Sequence, residues 1–472
     1  MKEKYYVSLI LEKIRKQALE EDLALAHDLA LSYANQVNDM RVYPGNEAIN
    51  NLSIFEEALS EEPEDTKSIL KMLDKYGSPA TIAQTGGRYF GFVCGGILPS
   101  ALCSKWLSDA WDQNSALFVL SPVASKLEEV CENWLKQLLK LPDDTVAGFV
   151  SGSSTATICG LLAGRNYLLD NMGYDVTGKG LFNAPQIKIV LSEEAHSTVF
   201  KALSIIGLGN TKLIKVPTDG QGRIKADEIP ELDNRTLLIL QAGNVNTGAF
   251  DDFDSICRKA NAAGAWVHID GAFGLWAAAC EKMSCLTKGM ELADSWSVDA
   301  HKTLNAPYDN GIILCRHKDV LVNAMHMTGS YIIYNENRDG MLYTPEMSRR
   351  ARAIDLWATL KGLGRRGVAE LVEELHCKAV YFSRLLQEGG LQILNDVVYN
   401  QVLVYFDNDQ KTEALIKGVQ ESGVCWMGGS KWSGKSVMRI SVCSYKTTYD
   451  DIEISAKEIL RVAELVSDFQ SC

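Results

Sequence analysis

The chain has 472 residues, 46% of them hydrophobic, and no Pro- or Ser-rich linker, so it can bury sizeable cores in more than one domain without tethers. Sixty acidic residues against 47 basic ones leave a net charge of −13, and no Lys/Arg stripe interleaved with aromatics offsets it. Nucleic acid is therefore not an expected partner.

The first residues, Met1 to Tyr6, lead into a periodic stretch that Glu20, Glu21 and Asp22 interrupt, which reads as neither a signal peptide nor a membrane span. The twelve cysteines are scattered, as Cys94, Cys103, Cys131 and Cys159 are, without paired or zinc spacing, and read as reduced thiols of a cytoplasmic protein. Residues 1–75 carry apolar positions at helical spacing (Leu9, Ile10, Ile14, Leu25, Leu29) with a break at Tyr43-Pro44-Gly45. An amphipathic helical extension of this kind needs a surface to cover, either its own domain or a second subunit.

From about Thr81 the texture changes to short apolar runs alternating with helical segments: Val146–Val150, Ile187–Leu191, Leu237–Leu240, Trp266–Asp270 and Gly311–Cys315. Continuous apolar strands separated by helices predict an α/β domain, residues 76–355, whose mainly parallel sheet is covered on both faces. Ligands of such sheets gather at the carboxyl ends of the strands, and Ser151-Gly152-Ser153-Ser154, His196, Asn244 and Asp270 fall at or just after such ends. A helix from Arg352 to Leu363, stopped by Gly362 and Gly364, leads into a small α+β domain, residues 356–472. There Val398–Phe406 and Ser436–Tyr445 alternate as half-exposed strands, and Thr448 with Asp451 forms the capping box of a last helix.

The chemistry lies in two spaced motifs, His268-Ile269-Asp270-Gly271-Ala272 and Asp299-Ala300-His301-Lys302. A lone lysine is usually a solvated charge, and a lone strand-end aspartate is usually a turn or cap. Together they supply an amine nucleophile for a cofactor aldehyde and an acid to hold a pyridine nitrogen protonated, which points to pyridoxal 5'-phosphate (PLP). Small residues after Asp270 let a flat ring approach, whereas His268 points the other way along the strand as a core histidine. Ser151 to Thr157 open a helix whose N–H groups and hydroxyls suit a phosphate. His196 is placed to stack on a ring and to bond a carboxylate.

With these residues in view, the chain resembles the group II PLP-dependent amino acid decarboxylases, the aromatic-L-amino-acid and glutamate decarboxylase family, over nearly its whole length from Ser121-Pro122 to Arg439-Ile440-Ser441-Val442. The resemblance implies the aspartate-aminotransferase-like fold (PLP fold type I). It also implies Lys302 as Schiff-base lysine, Asp270 as pyridinium partner and His196 as stacking residue. Ser153, Ser154 and His301 then hold the phosphate, and Ala272 touches the ring. It further implies an L-amino acid substrate, a homodimer with shared active sites and residues 1–75 as its dimerisation segment, and Tyr331 as the donor that returns a proton to Cα.

Where family members show Gly-Thr-Thr beneath the cofactor, this chain reads Gly243-Asn244-Val245-Asn246, so an amide, Asn244 or Asn246, replaces a hydroxyl there. Around the substrate, Phe92 and Asn114 are candidate wall residues, and Gly91 stands where a bulky side chain is usual. The expected reaction is decarboxylation of an L-amino acid, aromatic by preference. The rivals are aldehyde synthesis or transamination on the same fold, and a PLP-binding dimer without turnover.

Overall fold

In the computed structural model, which describes residues 8–325 and 336–469, the chain opens with four helices: α1 (Leu9–Arg15), α2 (Leu19–Gln36), α3 (Asn46–Asn50) and α4 (Thr66–Met72). None of the four contains a buried residue, and Leu9, Leu19 and Leu23 are exposed. The break expected at Tyr43-Pro44-Gly45 separates α2 from α3. Helices α5 (Pro99–Trp111) and α6 (Pro122–Leu138) then lead into a seven-stranded sheet.

Its strands are β1 (Val146–Val150), β2 (Lys188–Ser192), β3 (Leu213–Val216), β4 (Thr236–Gln241), β5 (Trp266–Asp270), β6 (Ser295–Asp299) and β7 (Gly311–Cys315), in the order β1-β7-β6-β5-β4-β2-β3. All neighbours pair parallel except β7, which runs against β1 and β6. Apart from β3 and β6, the strands are apolar without alternation because both faces are covered. In β4, Leu238 and Leu240 join the core that holds Trp276 and Trp296, while Leu237 and Ile239 join a second core with Leu161 and Leu168. Each such side chain contributes roughly 1.5–3 kcal/mol by leaving water. Helices α7 (Ser153–Asn171), α8 (Val176–Lys179), α9 (Ser197–Ile205) and α10 (Phe253–Ala262) lie between the strands, and α11 (Lys318–Met325) follows β7.

The helix expected from Arg352 continues as α12 (Arg352–Glu388), and the stop read at Gly364 is a break within it, where φ is +63°. Beyond it a four-stranded antiparallel sheet, β10-β11-β9-β8, is formed by β8 (Gln392–Ile393), β9 (Gln401–Tyr405), β10 (Gly428–Trp432) and β11 (Lys435–Ser441). Helices α13 (Asp409–Ser422) and α14 (Tyr449–Phe469) accompany it. The central strands β9 and β11 are more buried than the alternation predicts, since Phe382, Leu415 and Ile459 pack on Val402, Val404, Met438 and Ile440, while Val437 and Leu403 meet Trp432. The capping box is present: Asp451 Oδ2 accepts the Thr448 N–H at 2.9 Å, and Thr448 Oγ1 accepts the Asp451 N–H at 3.1 Å. Among the described residues no helix is long and apolar enough to cross a membrane.

Candidate active site

Parallel registration of β4, β5 and β6 brings Gln241 level with Asp270 and Asp270 level with Ser297, two residues before the end of β6, so polar residues of three neighbouring strands share one edge. A cavity of about 300 Å³ opens there, lined on its floor by Lys302, Asp270, Ala272, His196 and Gln241. Phe92 and Arg439 line its other side.

Asp270 is buried. Its Oδ1 accepts the Ala272 N–H at 3.3 Å, and no cationic side chain among the described residues lies within ion-pair distance. Burial pushes its proton affinity above the ordinary carboxyl range, and the nearby His196 and Lys302 oppose that rise. A buried acid in this state calls for a cation, which a protonated pyridine nitrogen supplies. His196 caps α9: its Nδ1 accepts the Thr198 N–H at 3.3 Å and lies 2.7 Å from the Thr198 hydroxyl. Burial lowers its pKa below the usual histidine value, against the pull of Asp270, so the ring is neutral at pH 7.

Lys302 follows the end of β6, a strand that the apolar pattern did not reveal because Ser295 and Ser297 interrupt it. Its Nζ lies 3.0 Å from Asp299 Oδ2. The same carboxylate accepts the Ser153 N–H at 2.5 Å and the Ser153 hydroxyl at 2.7 Å, with His301 Nε2 at 3.5 Å. Ser153 and His301, expected around a phosphate, do converge with Lys302 at the start of α7, and the group at their centre is Asp299. His301 is fixed by accepting the Asn310 N–H at Nδ1, 3.0 Å, and by stacking on Tyr308 at 4.3 Å. Ser154 is exposed in the first turn of α7.

Two expected residues are not in the cavity lining. Asn114 Oδ1 accepts the N–H groups of Ala116 and Arg349, so its side chain ties the segment after α5 to the one before α12. Asn244, although flanked by the lining residues Gly243 and Val245, spends its carbonyl on the N–H groups of Asn246 and Thr247, and its amide nitrogen is directed toward Gly222. Asn246 bonds Ser430. Tyr331 lies outside the described residues. His268 is the core histidine expected, fully buried with Nδ1 2.8 Å from Ser295 Oγ.

Sequence reasoning missed two polar lining residues, Gln241 and Arg439. Gln241 is held by its N–H to Asp251, 2.7 Å, and its side-chain nitrogen is buried without a hydrogen-bond partner. An unpaired donor beside an unpaired acid, with an amine on the same cavity, fits a cofactor with a ring nitrogen, a ring oxygen and an aldehyde. Arg439 sits in β11 between Met438 and Ile440, and a charge inside an apolar strand was the available signal. It donates to the carbonyls of Val245 at 3.2 Å and Phe92 at 3.4 Å, and no carboxylate among the described residues pairs with it. Burial lowers its pKa from the ordinary arginine value.

The family model for the pyridoxal-dependent decarboxylase conserved domain matches residues 49–406. An aromatic-L-amino-acid decarboxylase of Bacillus atrophaeus is 25% identical, over 96% of this chain and 98% of that one. Among solved structures, Oryza sativa TDC with PLP and tryptamine superposes with a TM-score of 0.87 at 18% identity, covering 98% of this chain and 99% of that one. Rhodiola rosea 4-hydroxyphenylacetaldehyde synthase gives 0.83 at 18% identity, with 95% and 98% covered. With the strand-end amine, the buried acid and a model spanning most of its length, the chain belongs to the pyridoxal-dependent decarboxylases and is a PLP-dependent carboxy-lyase.

Proposed function

We propose that the protein removes CO2 from an aromatic L-amino acid and releases the corresponding amine. The observation that carries this reading is one cavity holding the Lys302 amine, the buried acid Asp270, a guanidinium that no carboxylate among the described residues neutralises, and an aromatic face. PLP, when bound, supplies a ring that takes up the electron pair left by the departing carboxyl group.

Lys302 is the covalent anchor for the cofactor aldehyde, and Asp270 keeps a proton at the pyridine nitrogen. Ser154 and His301, with Ser153 once it exchanges the Asp299 carboxylate for the anion, would hold the phosphate end at the start of α7, where N–H groups and the helix dipole favour an anion. Ala272 and the amide of Gln241 border the ring. His196, neutral and fixed by Thr198, covers a ring face and orients the substrate carboxylate, which Arg439 also binds. Phe92 belongs to the substrate side. Tyr331 returns the proton to Cα after CO2 leaves, as a general acid.

The relative from Bacillus atrophaeus is named for aromatic amino acids, and the cavity lining among the described residues offers no cation beyond Lys302 and Arg439 for an acidic side chain. The exposed leucines of α1 and α2 support a homodimer with shared sites, which sedimentation at several concentrations tests. The free thiols among the described cysteines fit residence in the cytoplasm.

The decisive experiment is mass-spectrometric product analysis of PLP-loaded protein with each common L-amino acid, with and without catalase. Amine from aromatic substrates is the expected result; keto acids or aldehydes as the main products overturn decarboxylation. Tyr331→Phe is expected to lower amine and raise aldehyde with peroxide, and unchanged products remove Tyr331 as the donor.

A further inference from the structure

The side-chain end of the cavity is assembled from two chain segments that meet only in the folded protein. The Phe90 N–H donates to the Trp426 carbonyl at 2.7 Å, and the Trp426 N–H donates to the Arg88 carbonyl at 3.1 Å, so residues 88–90 are zipped to the turn before β10. The indole of Trp426 then lies almost parallel to the rings of Tyr89 and Phe92, at centroid distances of 5.2 and 5.8 Å and interplanar angles of 14° and 15°. Tyr43 extends the stack at 6.4 Å. Gly91 is what admits the indole, since a Cβ there would stand 2.1 Å from Trp426 Cζ3.

The backbone beside the stack is strained: Phe92 and Val93 adopt φ of +59° and +98°, the second a rare value for a β-branched residue. Strain of this kind persists only where surroundings over-determine it, and here the Trp426 stack and the Arg439 bond to the Phe92 carbonyl do so. The outcome is a cavity-lining Phe92 ring, 67% exposed, rigidly tied to the guanidinium expected to bind a carboxylate.

We infer that Trp426 is a positioning residue that sets side-chain preference: by holding Phe92 as a flat wall at a fixed offset from Arg439, it selects a planar aromatic side chain over an aliphatic one. This rests on the decarboxylase reading above and names the residue that gives it selectivity.

The test uses PLP-loaded wild type, Trp426→Ala, Trp426→Phe and Phe92→Leu, checked for cofactor content. Calorimetry measures binding of 3-phenylpropionate and butyrate, carboxylates without an amine to react, alongside kcat/KM for aromatic and aliphatic L-amino acids. Trp426→Ala and Phe92→Leu are expected to weaken 3-phenylpropionate about tenfold with butyrate within about twofold, and to lower the aromatic-to-aliphatic kcat/KM ratio equally, mainly through KM. Trp426→Phe restores most of the loss. Equal weakening of both carboxylates, or no weakening, overturns the inference. Should wild type release no CO2 from any amino acid while the binding contrast persists, the wall stands and the decarboxylase reading falls.

Discussion

The two sides of the cavity are built on different principles. The floor, with Asp270, Asp299 and Gln241, is set on adjacent strand ends whose register is locked by hydrogen bonds and whose side chains are nearly all buried. The facing wall, Phe92, Trp426 and Arg439, is gathered from a strained loop, a turn and a strand of the second sheet, and it leaves Phe92 open. Chemistry that depends on fractions of an ångström sits on the rigid element, whereas selection sits on segments that side-chain size can retune.

Changes to the floor are expected to act on rate, and changes to the wall on substrate binding. The largest effect is Lys302→Ala, expected to lower CO2 release by roughly 10⁴- to 10⁶-fold with little change in circular dichroism, because the nucleophile has no substitute. Ordinary turnover by that variant breaks the assignment of the floor. Asp270→Asn keeps the volume and removes the charge, and kcat is expected to fall about 10²- to 10³-fold, the range for losing one charge-stabilising group. A change confined to KM would move Asp270 from the floor's role to the wall's.

Beneath the floor, burial lowers the His268 pKa to about 3, far below its unfolded value near 6.5. Because the folded value is the lower one, its contribution is intact above about pH 6.5 and is lost as pH falls toward 3, roughly 3 kcal/mol by pH 4. Urea unfolding between pH 7 and 4 should therefore show a shallower acid slope in His268→Asn than in wild type; equal slopes assign the acid sensitivity elsewhere. The smallest effect belongs to the wall. Arg439→Gln is expected to raise KM about 10- to 100-fold with a lesser change in kcat, as loss of one charge-assisted hydrogen bond implies. A loss of kcat at unchanged KM would show that the guanidinium acts on the floor.

Much of this floor was legible in the sequence because its signals are local. An apolar run ending in Asp270, a hydroxyl-rich turn opening α7, and His301-Lys302 before a polar turn are each read within a few residues, and the strands and capping box follow from patterns equally short. Strand β6 escaped because serines break its apolar run, yet it is the strand that carries Lys302 to the site.

The sequence by itself determined the parallel sheet, the cofactor chemistry and the places of Asp270 and His196 at or just beyond strand ends, since period and residue type encode which side chains end each strand. The tertiary structure alone decided that Ser153 meets Asp299, 146 positions away, that Asn114 bonds the distant Arg349 N–H while Asn244 turns to its own loop, and that Arg439 bonds the Phe92 carbonyl across 347 positions. Such pairings depend on how separate segments pack in space, and no local pattern of residues records which distant segment will arrive.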